Sequence, residues 1–416
     1  MDRVGGGGDM SELGCKGGTG NKSELGNTKE LHNTTNTNEL TNMIKSTAPD
    51  QQHSIKELAD SEVEDADEEI EKMKIVSGKL FPPLSLEKWV KGYETIGFQG
   101  THLYEAVEEL RRMKTNGSKI FLGFTSNLVS SGLRDLLCAL VRHKCVGVVV
   151  TTAGAVEEDI IKTLKPSRLG SFGMDGGLLR SRGMNRIGNV IVPNENYFEF
   201  EEWLTRVLDR IVDGEVDGGG GSGEGSENRA KDNAQRKTER EIGGYRRCGG
   251  LAVITPSRLI YELGREAQCE ESIWHWAYAN SLPVYCPAIT DGSIGDIITY
   301  YKRRKELVID LVEDIAKINR EGVFEERTGA LILGAGVVKH HILNANLFRN
   351  GLDHCVLVNT AQEYDGSDAG ARVDEAVSWG KIKKNTTSVK VHADASIVFP
   401  IIAAAVWPEI FAEYTG

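Results

Sequence analysis

The chain has 416 residues and a formal net charge of −12 at pH 7, from 49 Lys and Arg against 61 Asp and Glu. That balance speaks against nucleic acid as the main partner, because phosphate binding draws on lysine and arginine, and it suits a cationic ligand. No run of roughly 18 apolar residues is available to span a bilayer, so no membrane association is expected.

The opening MDRVGGGGDM lacks a basic stretch followed by an apolar one, so no secretory signal is expected. The seven cysteines are scattered without a C-x-x-C pair. A cytoplasmic protein with reduced thiols and no metal site is therefore expected.

Residues 1–75 are rich in Gly, Asn, Thr, Ser and Glu, repeat SELG, and end in the acidic run SEVEDADEEIEK. This composition predicts a disordered N-terminal extension. One domain is expected over 76–416, interrupted at 214–250 by a low-complexity insertion that starts GEVDGGGGSGEG. Around that break, short β-branched runs end in small polar residues and lead into segments of helical period. The predicted strands are KIFLGFTS (119–126), VGVVVTTAG (146–154), NVIVPN (189–194), PVYCPAIT (283–290), GALILGAG (329–336), CVLVNTA (355–361) and VKVHADAS (389–396). Predicted helices cover 131–143, 200–212, 256–267, 305–318 and 338–348. Several strands are apolar throughout, as parallel strands covered on both faces must be. The alternation predicts an α/β fold: a doubly wound, mostly parallel, Rossmann-like sheet.

In such a sheet ligands bind beyond the carboxyl ends of the strands. The residues there are TSN, TTAG, TDGS, GAG, NTAQ and DAS. Small side chains let a cofactor approach the backbone, and free N–H groups at helix starts bind pyrophosphate. Each turn alone is more often a bland strand-to-helix turn; six together point to a dinucleotide. LGAGVV opens like the G-x-G-x-x-G fingerprint but lacks its third glycine.

A second group lies in the C-terminal half: Asp296, Asp368, Asp374 and Glu375, with Trp379 and Lys381 in EAVSWGKI. A lone aspartate at a turn is as often a helix cap, and most lysines are solvated. Beside carboxylates and an indole, however, a partly desolvated lysine can act as a neutral amine nucleophile. His340 and His341 follow the GAG turn, where one imidazole could carry a proton. No cluster has the spacing of a zinc site, and no G-x-S-x-G follows a strand.

The motifs TSNLVSSG, TTAGAVEED, NRIGNVIVPNENY, TDGSIGD, VVKHHILNAN, NTAQEYDGSDAGAR and DEAVSWGKI together resemble the deoxyhypusine synthase family, over about 77–213 and 251–407. The resemblance implies the family's reaction. NAD takes a hydride from spermidine, a lysine captures the aminobutyl part as an imine with loss of diaminopropane, and the group passes to a lysine of translation initiation factor 5A, where the imine is reduced. It implies Lys381 as nucleophile, with His340 as proton acceptor. Asp296, Asp368 and Glu375 would hold the ammonium groups of spermidine, and Gly366, Ser367, Trp379, Glu157 and Glu158 would line the same channel. NAD contacts would come from Ser126, Asn127, Leu128, Val129 and Ser130, from Thr152, Ala153, Gly154 and Glu158, and from Asp291, Ala335, Thr360, Ala361, Asp394 and Ala395. A homotetramer with sites between paired subunits is implied, as is an N-terminal helical cover matching LSLEKWVKGYETIGFQG (84–100).

The chain departs from the family pattern at Leu357, where an aromatic residue is usual, and at Ala335, Ala369 and Val373. These departures bear on substrate affinity more than on reaction type. Two alternatives share the motifs: homospermidine synthase, which uses putrescine as acceptor, and a weakly active subunit that needs a paralogous partner.

Overall fold

Six of the short apolar runs form one parallel sheet. The computed structural model describes residues 77, 85–215 and 244–411. In chain order its strands are β1 (Lys119–Phe124), β2 (Val148–Val150), β3 (Arg168–Leu169), β4 (Met184–Ile187), β5 (Val190–Pro193), β6 (Tyr245–Cys248), β7 (Leu251–Ile254), β8 (Val284–Tyr285), β9 (Leu307–Ile309), β10 (Thr328–Leu333), β11 (His354–Asn359) and β12 (Ser388–His392). The main sheet runs β12–β11–β10–β1–β2–β8 with every pair parallel. Numbered by its own strands from the β8 edge, this is the 3-2-1-4-5-6 order of the dinucleotide-binding fold. The direction of winding reverses between β1 and β10, which pair in register from Lys119↔Thr328 to Phe124↔Leu333. A crevice opens beyond the strand ends at such a reversal.

Because side chains alternate along a strand, each central strand feeds two cores. Leu122, Phe124, Val149, Leu331, Leu333, Val356 and Val358 belong to the larger one. Phe121, Val148, Val150, Ala330, Ile332, Cys355 and Leu357 belong to the other. The larger core is closed by helices that include Phe98–Thr115, Leu133–Arg142, Asn194–Asp213 and Ala395–Val406. On the opposite face the helix Val337–Leu347 lies tight against β1: a Cβ on Gly123 would come within 2.6 Å of Ile342 and 2.8 Å of Val338. Glycine permits that approach.

Three expectations are corrected. NVIVPN does not join the main sheet; β5 pairs antiparallel with β3 and β4. The segment 305–318 is not one helix, because Leu307–Ile309 forms β9 parallel to β7 before the helix Leu311–Val323 begins. The β-branched run LVI ahead of Asp310, which caps that helix through the N–H groups of Val312 and Glu313, explains the break. The expected insertion ends earlier than 250, since Tyr245–Cys248 is β6, antiparallel to β7. Residues 216–243 of that segment and the expected N-terminal extension lie outside the described residues. The predicted helical cover is helical over Leu86–Gly92 and again from Phe98, with a 3-10 turn at Tyr93–Thr95 between. Cys138, Cys286 and Cys355 are buried thiols and Cys145 is half-buried.

Candidate active site

The six small-residue turns all lie beyond the carboxyl ends of the main-sheet strands. Across the reversal point the turns of β1 and β10 touch: Gly334 takes φ +90°, and a Cβ there would come within 2.7 Å of Thr125 Oγ1. Only glycine meets both demands at low cost. Two helices start side by side at the same place, Ser126–Ser130 and Ala153–Leu164, and a Cβ on Gly154 would fall 2.7 Å from Ser126 Cβ. Their backbones therefore converge on one point, with free N–H groups at both starts.

Beside it lies a set of buried oxygens. Ser130 Oγ, Thr152 Oγ1 and Glu158 Oε2 are buried and complete no hydrogen bond among the described residues. Tyr197 OH donates to the other oxygen of Glu158 at 3.2 Å. Burial pushes the Glu158 carboxyl upward, while Tyr197 and the charge of Lys162 favour its charged form. A buried acceptor left without a partner costs about 1–3 kcal/mol, so this cluster suits a hydroxyl-bearing ligand such as the ribose of a dinucleotide. Leu128 and Val129 pack into the core, and only their backbone is available to such a ligand. Asp394 caps the helix Ala395–Val406, accepting from Ser396 N at 2.8 Å and Ser396 Oγ at 2.7 Å. Ala335, Thr360 and Ala361 stand at the ends of β10 and β11, and Asp291 is exposed in the turn after β8.

Lys381 owes its position to a helix end. The helix Val373–Ser378 stops where Gly380 takes φ +72°. Gly380 N then donates to Val377 O and Lys381 N to Ala376 O, both at 2.9 Å. This paired 5→2 and 6→1 closure is the Schellman arrangement, and it needs a left-handed residue, hence glycine. Lys381 O in turn accepts from Leu352 N at 3.0 Å. The glycine of SWGK thus aims the lysine.

Its side chain enters a cavity of about 170 Å³ lined by Lys339, His340, Asp368, Glu375, Trp379 and Lys381. Lys381 Nζ stands 5.6 Å from the centre of the Trp379 ring, within reach of a cation–π attraction. His340 Nδ1 is 3.2 Å from Asn344 Nδ2, one helical turn on, which fixes the ring and leaves Nε2 to exchange a proton. His341 is different: burial pushes it down to about 4, with His340 adding to the effect. It is neutral near pH 7 and lines no part of this cavity.

The predicted substrate residues divide into two places. Asp368, Glu375, Trp379, His340 and Lys381 come together. Glu157 and Asp296 do not join them in this chain. Glu157 accepts from Ile294 N at 3.0 Å, where the helix Ser293–Tyr300 starts, with Asp296 in that helix's first turn. Burial raises the Glu157 carboxyl to about 7, with the neighbouring charges of Glu158 and Asp296 adding to it. Gly366 and Ser367 stand on the exposed turn before Asp368, where Ser367 N donates to Asp365 Oδ1 at 2.7 Å. Sequence reading missed Lys339 and Tyr197; a lysine in the helix after the GAG turn carries no signal of burial by its type. A larger hollow of about 870 Å³ lies on the far side of the 361–371 loop along β12, lined in part by Glu363, Arg372 and Lys390. It takes in Asp374 and Ala361 but not Lys381, His340, Asp368 or Glu375, which share the smaller cavity.

Sheet order and converging helix starts define a doubly wound, Rossmann-like α/β protein with a lysine–carboxylate cavity beyond its strand ends. Residues 88–406 match the family model "DS: Deoxyhypusine synthase". The deoxyhypusine synthase of Encephalitozoon cuniculi is 49% identical over 316 residues, covering 76% of this chain and 85% of that protein. That of Caenorhabditis elegans is 44% identical over 360 residues, covering 80% and 87%. A solved structure from Entamoeba histolytica assigned to the same activity superposes with a TM-score of 0.52 at 28% identity, covering 81% of this chain and 97% of the other. The chain belongs to the deoxyhypusine synthase family.

Proposed function

We propose that the chain transfers the aminobutyl group of spermidine, through an imine on Lys381, to a lysine of the translation initiation factor 5A precursor, with NAD as cofactor. The observation that carries this reading is the grouping of Lys381 with His340, Asp368, Glu375 and Trp379 in one cavity, in a chain that the family model matches over 88–406. NAD, when bound, takes up a hydride from the substrate carbon next to the secondary amine and later returns it. The buried oxygens of Ser130, Thr152 and Glu158 would hold its hydroxyl groups.

Oxidation turns that carbon into an imine carbon. The Lys381 amine adds to it, diaminopropane leaves, and the aminobutyl group is held as a lysine imine. Asp368 and Glu375 hold the distal ammonium, and the Trp379 face packs on the alkyl chain. His340 takes the proton that the attacking amine loses. The acceptor lysine then displaces Lys381 by the same exchange, and the returned hydride reduces the new imine. The intermediate needs shelter from water, and because Trp379 is 67% exposed in the single chain, that shelter would come from an assembly of subunits. Asp296, Glu157 and Glu158 form a second acidic group at the ends of β2 and β8, and an approaching ammonium would draw the proton from Glu157, whose carboxyl burial raises to about 7. A homotetrameric assembly would let this second acidic group from one subunit face the lysine cavity of another, in the cytoplasm where the acceptor is made.

The test is labelled spermidine with NAD and either the factor 5A precursor or putrescine, on the purified chain alone. Label in the protein lysine is expected. Label only in homospermidine would replace this reading with the polyamine synthase, and no label without a second chain would make this a dependent subunit.

A further inference from the structure

The loop 361–371 links β11 to the helix Val373–Ser378, which carries Glu375 and is followed by Lys381. It carries Asp368 into the cavity, yet belongs to no helix or strand beyond a short 3-10 turn at Glu363–Asp365. Its carbonyls are met instead by two lysines that reach it from different elements. Lys339, only 1% exposed, donates from the helix Val337–Leu347 to Asp368 O and, at 3.3 Å, to Ala371 O. Lys390, on the edge strand β12, donates to Ala361 O at 2.9 Å and Gly370 O at 2.6 Å. Gly370 is pressed against the loop's own start, since a Cβ there would lie 1.7 Å from Gln362 O. Lys390 thus draws the two ends of the loop together, and Lys339 holds its C-terminal part.

We propose that Lys339 and Lys390 are positioning residues that clamp this loop by its carbonyls, and so set where the Asp368 carboxylate stands relative to Lys381. A buried cation is costly unless it is well paired. Here each ammonium spends two of its three donors on backbone oxygens, leaving the acidic side chains of the cavity free for a ligand cation. Burial pulls both lysines below their ordinary range, and in Lys339 the charges of Asp368 and Glu375 oppose that pull. The clamp also explains how a loop without a hydrogen-bond ladder can present a carboxylate at a fixed depth.

The link to polyamine binding rests on the function proposed above; the link to loop order does not. On the full chain, Lys339→Met should speed hydrogen exchange of the loop amides and raise the spermidine KM by about tenfold or more, the worth of one charge-assisted hydrogen bond. The fall in kcat should be smaller than that rise. Lys339→Arg, which keeps the charge and donors, should recover part of the KM and the protection. Loop exchange at the wild-type rate in Lys339→Met, or a loss confined to kcat, would overturn the proposal. If Lys339→Met does not fold, Lys390→Met on the edge strand carries the same expectations and the same refutation. Should the wild-type chain cleave no spermidine, the function reading fails, and hydrogen exchange alone still decides the clamp.

Discussion

The two halves of the site are built in opposite ways. Around Thr152 and Glu158 the site is backbone: β1, β2 and two helix starts converge, and what is left open is a set of buried oxygens without partners among the described residues. Around Lys381 the side chains are placed by a glycine helix end and by a loop held through lysines. The first arrangement is suited to a ligand that returns unchanged each cycle. The second suits one that must be taken apart, because a loop can yield while a strand end cannot.

Lys381→Ala should separate the halves most sharply. Transfer and borohydride trapping of label should fall by at least a thousandfold, on the order seen when a nucleophile is removed. NAD binding, measured by fluorescence or calorimetry, should stay within about threefold of wild type, because no cofactor turn includes Lys381. Equal loss of both would erase the distinction between the halves.

Next in size is Glu158→Gln. Losing a charge-assisted acceptor in a buried site costs about 1.5–3 kcal/mol, so the NAD Kd should rise roughly 10- to 100-fold, with the Tm nearly unchanged. A large fall in Tm with intact NAD affinity would make Glu158 a structural partner of Tyr197 and nothing more.

Much of this was legible in the sequence. Apolar runs ending in TSN, TTAG, GAG and NTAQ disclosed a parallel sheet because burial on both faces leaves no alternative, and the same turns marked the crevice. The grouping of Lys381 with Asp368, Glu375 and Trp379 followed from their spacing and from the family resemblance. What sequence could not reveal was where a polar side chain points. Lys339 reads as an ordinary surface lysine and is among the largest fully buried side chains. Glu157 reads as a channel carboxylate, and nothing in the sequence signals that one of its oxygens accepts from Ile294 N. NVIVPN has the composition of a core strand, but the middle place between two short antiparallel partners satisfies it equally well.

Glu157 also ties the two halves to pH. Burial has raised its carboxyl from about 4.5 to about 7, so the folded chain holds this proton more tightly than the unfolded one. Its contribution is full below about pH 4.5 and is lost as pH rises towards 7. His341 acts in the opposite sense: pushed down to about 4, it favours folding above its unfolded pKa, a contribution lost as pH falls through 4. Between about pH 4.5 and 6.5 the two trends oppose each other. Glu157→Gln removes one of them and keeps an acceptor for Ile294 N, so its Tm relative to wild type should rise with pH across that window and level off above 7. The gain is at most ~3 kcal/mol, or several degrees in a chain of this size. A pH-independent difference would mean that Glu157 is charged throughout, and available to an ammonium without first losing a proton.

The smallest effect is expected between Glu215 and Gly244. The residues flanking that segment already meet: Tyr245 OH donates to Ile211 O at 3.2 Å and Arg247 to Val212 O at 2.7 Å. Replacing 216–243 with a short Gly–Ser turn therefore closes a gap whose ends are already side by side, and loop-closure entropy changes by only about 0.6 kcal/mol for each doubling of length. Turnover and both ligand affinities should stay within about twofold, and the Tm should hold or rise slightly. A selective loss at one half would be more informative than a general one. A weaker spermidine KM with intact NAD binding would mean that the segment reaches the lysine cavity, on its own chain or on a neighbouring one. The contrast between the strand-end crevice and the clamped loop would then have to include that segment as a third part.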